Sequence, residues 1–307
     1  MLKRKDLLEI KSLTEDEILS IIHTAKDMKK RIDNSCLRGD ELKNKGVVTL
    51  FYENSTRTKM SFMLAADYLG AKPEDLGIST SSVSKGESLI DTGVTLDQMG
   101  INAMIIRHSF TGASHLLAKN VNASVINAGD GSNEHPTQAL LDMYSILEEK
   151  GKIDGLNVAI IGDIANSRVA RSNVFGLTKL GANVTLAGPS TLVSKNMETL
   201  SKNVKVVNNI EEGIKEADVI MGLRVQFERQ KKMPFPNTSE YHQIFGLKQD
   251  MLNLAKDDVT IMHPGPVNRG VELSTEVIDG KNSIINEQVK NGVAVRMAIL
   301  KLLLENK

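Results

Sequence analysis

The stretch Phe51-Tyr52-Glu53-Asn54-Ser55-Thr56-Arg57-Thr58 decides how the chain is read. It closes Val47 to Tyr52, an apolar run too short for a buried helix and rich in β-branched and aromatic residues, and it leads into Lys59 to Leu69, which has a helical composition. A strand, a polar turn and a helix start therefore follow one another. Ser55, Thr56 and Thr58 bring hydroxyl and backbone N–H donors to the positive end of the helix macrodipole, and Arg57 adds a planar fork of donors, so the turn suits a phosphate. Ser and Thr are also ordinary helix caps, and the turn alone leaves both uses open.

At 307 residues the chain has room for two domains with sizeable cores. Its 41% apolar and 25% charged residues are those of a globular protein, and no apolar stretch is long enough to span a bilayer. Lys plus Arg and Asp plus Glu balance at 38 each, which argues against nucleic acid or an anionic membrane as partner and for small molecules. Cys36 is the only cysteine, so there is no intrachain disulfide and no zinc site built on several thiolates. It reads as an inert residue in a reducing compartment. Met1 to Glu17 lacks the apolar core of a secretory signal, and a cytoplasmic location is expected.

Along the chain, Thr14 and Glu17 form a capping box ahead of a helix with Ile18, Ile21, Ile22, Ala25 and Met28 on one face. Gly70 closes the helix after the signature turn, and Ser81 to Ser88 is a small-residue loop carrying Lys85. The strand Ala103 to Arg107 ends in Arg107-His108. Ser124 to Asn127 is another strand, after which Pro136 opens a helix with His135 at its N-cap and Gln138 in its first turn. Gly151 to Gly155 marks the domain junction. Strands follow at Asn157 to Gly162, Asn183 to Ala187, Val204 to Val207, Asp218 to Leu223 and Val259 to Met262, with helices at Arg168 to Leu180, near Ser194 and near Ile214. That alternation predicts a second parallel sheet. Gly162-Asp163 lacks a G-x-G-x-x-G fingerprint, so no dinucleotide is expected. A polar loop is predicted from Arg224 to about Tyr241, and Glu287 to Glu305 forms a last helix with Val289, Val293, Met297, Leu300 and Leu304 on one stripe.

Strand ends thus present Ser55 to Thr58, Arg107, His135 and Gln138 from the first sheet, and Arg168, Arg224 and Arg229 from the second. Arginines gathered at sheet edges cost desolvation free energy unless anions meet them, so the site expects strongly anionic ligands.

Residues 51–58 match, at every specified position, the Phe-x-(Glu or Lys)-x-Ser-x-Arg-Thr signature of the aspartate and ornithine carbamoyltransferases. Ser81 with Lys85-Gly86-Glu87, Arg107-His108, His135-Pro136-Thr137-Gln138, Gly162-Asp163 with Arg168, Arg224-Val225-Gln226 with Glu228-Arg229, and His263-Pro264-x-Pro266 resemble further motifs of the family's aspartate branch, in family order. The resemblance spans nearly the whole chain. It implies an α/β carbamoyltransferase fold of two domains, each a parallel sheet flanked by helices: 1–150 for carbamoyl phosphate, joined by the C-terminal helix 287–307, and 151–286 for L-aspartate. It also implies a homotrimer with active sites shared between subunits.

By the same resemblance, carbamoyl phosphate is held by Ser55, Thr56, Arg57, Thr58, Ser81, Arg107, His135, Gln138 and the backbone at Gly265 and Pro266. L-Aspartate is held by Arg168, Arg224, Gln226 and Lys85, with Ser81 and Lys85 reaching a neighbouring subunit's site. Arg57, Thr58, Lys85, Arg107 and His135 carry the catalytic roles, while Glu53, Glu228 and Arg229 make bridges on domain closure. The implied reaction yields N-carbamoyl-L-aspartate and phosphate, a step of UMP synthesis, with no cofactor or metal. Any zinc-bearing regulatory chain would be encoded elsewhere.

An ornithine acceptor fits poorly, since its side-chain cation would be repelled by Arg224 and Arg229, and the His-Cys-Leu-Pro element of that branch is replaced by His263-Pro264-Gly265-Pro266. Glu53 also stands where that branch commonly has lysine. A scaffold without turnover would require a lost catalytic position, and none is lost. Two departures from the aspartate branch stand out. Ala165-Asn166 replaces a Lys-Tyr or Lys-His pair, which puts the closure contacts in doubt, and Gly265 replaces leucine or alanine.

Overall fold

The computed structural model describes residues 2–78, 81–226 and 237–305. The chain divides into two compact units, Met1–Leu141 with Lys290–Lys307, and Asp142–Val289.

Unit 1 opens with α1 (Glu15–Asp33). Thr14 Oγ1 accepts from the Glu17 backbone N–H and the Glu17 carboxylate accepts from that of Thr14, a reciprocal cap that stabilises the helix by about 1 kcal/mol. The predicted face, Ile18, Ile21, Ile22, Ala25 and Met28, is buried. Strands β1 (Gly46–Phe51), β2 (Lys72–Leu76), β3 (Ala103–His108) and β4 (Ser124–Asp130) form a parallel sheet in the order β2-β1-β3-β4. Helices α2 (Thr56–Tyr68), α3 (Leu89–Gln98) and α4 (Ala113–Ala118) lie between them in sequence. Val48, Leu50, Met104, Ile106, Leu117 and Val125 share one core, as expected of strands covered by crossover helices.

Strand β2 has no counterpart in the sequence reading. Lys72-Pro73-Glu74-Asp75-Leu76 is polar because it is an edge strand with no fully buried residue, and only an edge tolerates Pro73. Gly70 ends α2 as predicted: its φ is +78°, and a Cβ there would sit 2.6 Å from the Gly39 carbonyl oxygen.

Helix α5 (Pro136–Lys150) starts in unit 1 and runs into unit 2. Unit 2 holds β5 (Asn157–Gly162), α6 (Arg168–Lys179), β6 (Asn183–Ala187), β7 (Val204–Val207), α7 (Ile210–Ile214), β8 (Val219–Leu223), α8 (Thr238–Phe245), β9 (Thr260–Met262) and α9 (Thr275–Ile278). Its sheet is parallel in the order β7-β6-β5-β8-β9, over a core that includes Ile161, Ile214, Ile220 and Ile261. Helix α10 (Ile285–Leu304) closes the chain.

Three expectations are corrected. The segment near Ser194 is a 3₁₀ helix, Lys195–Leu200. Helix α8 starts inside the stretch expected to be loop, because Asn237 caps it and Tyr241 is fully buried. On α10, Val289 is exposed, whereas Ala294, Val295, Met297, Ala298, Ile299 and Leu300 are all buried, so the second half of the helix is enclosed on several sides rather than along one stripe. Among the described residues no helix is long and apolar enough to cross a membrane.

Strand order positions the functional residues. In the first sheet the winding direction reverses between β1 and β3, and in the second between β5 and β8. The crevice outside the C-terminal ends of strands at such a reversal is where open α/β sheets bind ligands.

An anchor on the opposite edge gives a test of unit 1. Asp97 accepts from the Ala123 N–H at 2.7 Å, and from the backbone N–H and side-chain amide of Asn122 at 3.1 and 3.0 Å, tying the end of α3 to the start of β4. Burial opposes its ionisation, yet these bonds hold the carboxyl below its ordinary 3.8. Its contribution is therefore full above pH 3.8 and is lost as the pH falls through the lower folded value. Asp97→Ala should cost about 1 kcal/mol at neutral pH. In thermal denaturation the gap to the wild type should close in acid; a gap that widens in acid would contradict the assignment.

Candidate functional site

In unit 1 the signature residues follow β1, so the chain leaves the sheet at the strand-order reversal and enters α2 within a few residues. Ser55 is the N-cap with extended backbone, yet its side chain makes no capping hydrogen bond. The contrast with Thr14, Ser88, Ser167, Asn209, Asn237 and Ser274, each of which accepts an N–H of its own helix, is direct. The hydroxyl is thus uncommitted to the helix that it begins. Thr56 and Arg57 are exposed in the first turn, and Thr58 is buried.

Arg107 emerges from the neighbouring strand β3. Its Nε lies 3.6 Å from Glu53 Oε2, so residues at the two strand ends meet, and its Nη1 donates to the Ala128 carbonyl at 3.3 Å. Beside it the His108 ring packs against Tyr52 and Phe110, with centroids 4.7 and 5.3 Å apart, and His108 Nδ1 accepts from the Phe110 N–H. Burial pushes the His108 pKa down, against the opposing pull of Glu53 and Asp130, which keeps the ring neutral beside the arginine.

His135 ends the turn after β4 and is 4% exposed; its carbonyl accepts the Gln138 and Ala139 N–H groups that open α5. Gln138 is buried with it. Two residues without an assigned role in the sequence reading hold this turn. Asp130, fully buried, accepts from the Asn127 side-chain amide at 2.9 Å, the Glu134 N–H at 3.2 Å and the Gly112 N–H at 2.9 Å. Glu134, also buried, accepts from the Ile10 N–H at 2.7 Å and the Lys11 N–H at 3.2 Å, pinning the N-terminal segment to the turn. In sequence nothing sets these two acids apart from acids exposed to water.

Ser81 precedes a 3₁₀ helix, Ser82–Lys85, and its hydroxyl donates to the Ile78 carbonyl at 2.9 Å. Lys85 is exposed, and Gly86 after it takes a φ of +94°.

In unit 2 the residues gather after β5 and β8. Asp163, fully buried, accepts from the Asn166 side-chain amide at 2.9 Å, from the Asn166 N–H at 3.2 Å, and from the Gln226 N–H at 3.2 Å. Gln226 Nε2 donates back to the Asn166 carbonyl at 2.9 Å. Asn166 therefore has a defined place in a network that joins the two strand ends. Arg168 starts α6 and is 5% exposed, while Arg224 is partly buried directly after β8. Glu228 and Arg229 lie outside the described residues. Burial, with the Glu272 and Asp163 carboxylates adding to it, pushes the Tyr241 hydroxyl pKa up, so it stays protonated.

The His263–Pro266 turn follows β9. Gly265 has a φ of +68°, in the left-handed region, which glycine adopts without a Cβ clash. Among the described residues no group of three or more His, Cys, Asp or Glu is placed to hold a metal ion. Cys36 is exposed rather than packed away.

Comparison with known proteins agrees with this geometry. Residues 5–148 match the model for the aspartate/ornithine carbamoyltransferase carbamoyl-P binding domain, and residues 154–303 match that for the Asp/Orn binding domain. The chain is 58% identical over 303 residues to the aspartate carbamoyltransferase catalytic subunit of Acetivibrio thermocellus, covering 99% of this chain and 96% of the relative. It is 57% identical over 302 residues to that of Ruminiclostridium cellulolyticum, covering 98% and 96%. Among solved structures, Trypanosoma cruzi aspartate transcarbamoylase in complex with carbamoyl aspartate and phosphate superposes with a TM-score of 0.90 at 30% identity, covering 99% and 97% of the two chains. Ornithine carbamoyltransferase from Pyrococcus furiosus gives 0.88 at 30% identity, covering 98% and 97%. With both domain models matched and relatives of this similarity spanning the chain, it belongs to the aspartate/ornithine carbamoyltransferase family.

Proposed function

We propose that the chain transfers the carbamoyl group of carbamoyl phosphate to the α-amine of L-aspartate, giving N-carbamoyl-L-aspartate and phosphate, a step toward UMP. The observation that carries this reading is the signature turn at the first sheet's strand-order reversal, where Ser55 withholds its hydroxyl from capping α2 and Arg57 stands exposed beside it. Such a turn presents backbone N–H groups, hydroxyls and a guanidinium at a helix N-terminus, a combination that favours a phosphate dianion.

Fold likeness does not choose between aspartate and ornithine as acceptor, because solved members of both kinds superpose almost equally well. The choice rests on the relatives named for aspartate at 58% and 57% identity and on the cations Arg168 and Arg224 at the strand ends of unit 2. Two carboxylates are recognised by two planar guanidinium forks, and an acceptor with a cationic side chain is repelled by them.

The chemistry follows. Ser55, Thr56, Arg57 and Thr58 hold the phosphate, Gln138 and the backbone at Gly265 and Pro266 take the carbamoyl amide, and Ser81 completes the set. Arg168, Arg224, Gln226 and Lys85 hold L-aspartate. Its neutral amine attacks the carbamoyl carbon, a C–N bond forms, and the developing oxyanion is met by Thr58, Arg107 and His135. As the C–O bond to phosphate breaks, the leaving phosphate is stabilised by Arg57 and Lys85 and takes the proton shed by the amine, so that it departs as the hydrogen phosphate dianion. No separate side-chain base is needed. Holding both reactants in register supplies several kcal/mol, of order 7 at best. Glu53, Glu228 and Arg229 are assigned to domain closure. The close approach of Glu53 to Arg107 gives Glu53 a partner in the state described here, before any exchange to other arginines.

Ser81 and Lys85 are assigned to the site of a neighbouring subunit in a homotrimer, a reading supported by the exposure of Lys85 on its loop. Exposed Cys36 fits a reducing, cytoplasmic setting.

Arg57→Ala and Arg107→Ala should each lower kcat by at least about a hundredfold, the scale of losing one oxyanion or phosphate donor. Circular dichroism should show the fold intact; near-normal turnover in either variant would remove the phosphate assignment. Shared sites make a separate prediction. Mixing inactive Lys85→Ala chains with inactive Arg107→Ala chains, then dissociating and reassembling them, should restore part of the activity, since some interfaces then carry both intact residues. Reassembled mixtures that stay inactive would rule out a shared site.

A further inference from the structure

The carboxyl group of Glu272 has no role in the chemistry above, yet its side chain is 1% exposed and faces the equally buried His263, with His263 Nε2 3.3 Å from Glu272 Oε1. The same oxygen accepts the Asn268 backbone N–H at 2.6 Å. On the far side of the ring, His263 Nδ1 accepts the Gly265 N–H at 2.8 Å. That bond fixes the tautomer: Nδ1 holds a lone pair, so the proton of the neutral ring sits on Nε2, the nitrogen on the Glu272 side. One carboxyl oxygen therefore meets residues 263–268 twice, by a hydrogen bond at Asn268 and by a 3.3 Å contact with the imidazole that in turn holds Gly265.

The base of the turn is anchored independently. The His263 N–H donates to Gln288 Oε1 at 2.9 Å, Gln288 Nε2 donates to Asp142 Oδ1 at 2.9 Å, and Asp142 Oδ2 accepts from Asn173 Nδ2 at 2.8 Å, all four residues being buried. Pro264 and Pro266 have no N–H to offer. Among the described residues no hydrogen-bond donor is directed at the carbonyls of Pro264, Gly265 or Pro266. The N–H groups of His263, Gly265 and Asn268 are tied inward, while the three carbonyls are left over. A ligand that brings hydrogen-bond donors, such as the N–H groups of an amide, is matched to such a set.

We propose that Glu272 is a positioning residue which, through His263, aims these carbonyls at the carbamoyl amide and so lets the site distinguish a carbamoyl from an acyl phosphate. The inference rests on the carbamoyl-transfer reading and adds to it the source of selectivity for the amide. A buried carboxyl group in a merely structural role would serve every phosphate ligand alike.

The test compares three ligands on the purified full-length protein: carbamoyl phosphate through its KM, and acetyl phosphate and inorganic phosphate as competitive inhibitors through their Ki values. Acetyl phosphate has a methyl group in place of the amide and has no hydrogen bond to lose. Glu272→Ala should raise the KM for carbamoyl phosphate about tenfold, the scale of weakened amide hydrogen bonds, and leave both Ki values within about twofold. Glu272→Gln keeps an oxygen for the Asn268 N–H and should fall between the two. An unchanged KM, or an equal rise for all three ligands, would overturn the proposal. If Glu272→Ala does not fold, Glu272→Gln decides on the same criterion, a selective loss supporting the proposal and an equal or absent loss refuting it. A wild-type protein that fails to turn over carbamoyl phosphate would refute the reading beneath it, and that failure is seen before any variant is compared.

Discussion

A parallel strand binds its neighbours along its whole length and then must release the chain, polar groups and all, at its C-terminal end. Where two adjacent strands send their crossovers to opposite sides, nothing of the sheet's own connections fills the gap between those ends. Both sheets here have one such place, between β1 and β3 and between β5 and β8. The signature turn and Arg107 leave the first, and Asp163, Arg168 and Arg224 leave the second. The rest of the site depends on that constraint, which delivers cations and uncommitted donors to a fixed edge before any ligand is present.

Holding those groups in place falls to buried acids. Asp130 and Glu134 fix the turn that ends at His135, Asp163 joins the ends of β5 and β8, and Glu272 closes the turn after β9. Each accepts at least one backbone N–H, so each rigidifies the loop that it touches. The arrangement has an energetic logic. Burying a carboxylate costs several kcal/mol unless hydrogen bonds compensate, and truncating one leaves its donors unsatisfied at about 1–3 kcal/mol apiece. Loops that carry these residues are thereby held rigid by backbone hydrogen bonds to buried carboxylates.

Much of this was legible in the sequence, because apolar runs of parallel strands are strong signals. The strand Asn157 to Gly162 and the capping box at Thr14 and Glu17 were readable from local chemistry alone. The polar edge strand β2 was not, since its pairing with β1 is made by backbone groups that leave no apolar pattern. Helix α8 was hidden for a related reason: its buried anchor Tyr241 stands among polar neighbours. In the site, residue types pointing at a ligand could be read from motif and spacing. Asp130, Glu134 and Glu272 could not, because an acid that braces a loop looks in sequence like an acid exposed to water. Asn166, a departure from the family pattern that cast doubt on closure, proves to be one corner of the Asp163 network.

The most direct test of the whole account is phosphate release from carbamoyl phosphate by the purified protein, with L-aspartate and L-ornithine offered in parallel and the carbamoylated product identified. Release and product with aspartate alone are predicted, because the proposed function gives the arginines at the ends of the second sheet an acceptor with two carboxylates. Turnover with ornithine alone would mean that those cations do not set the acceptor, and release with neither would contradict the assignment of carbamoyl transfer itself.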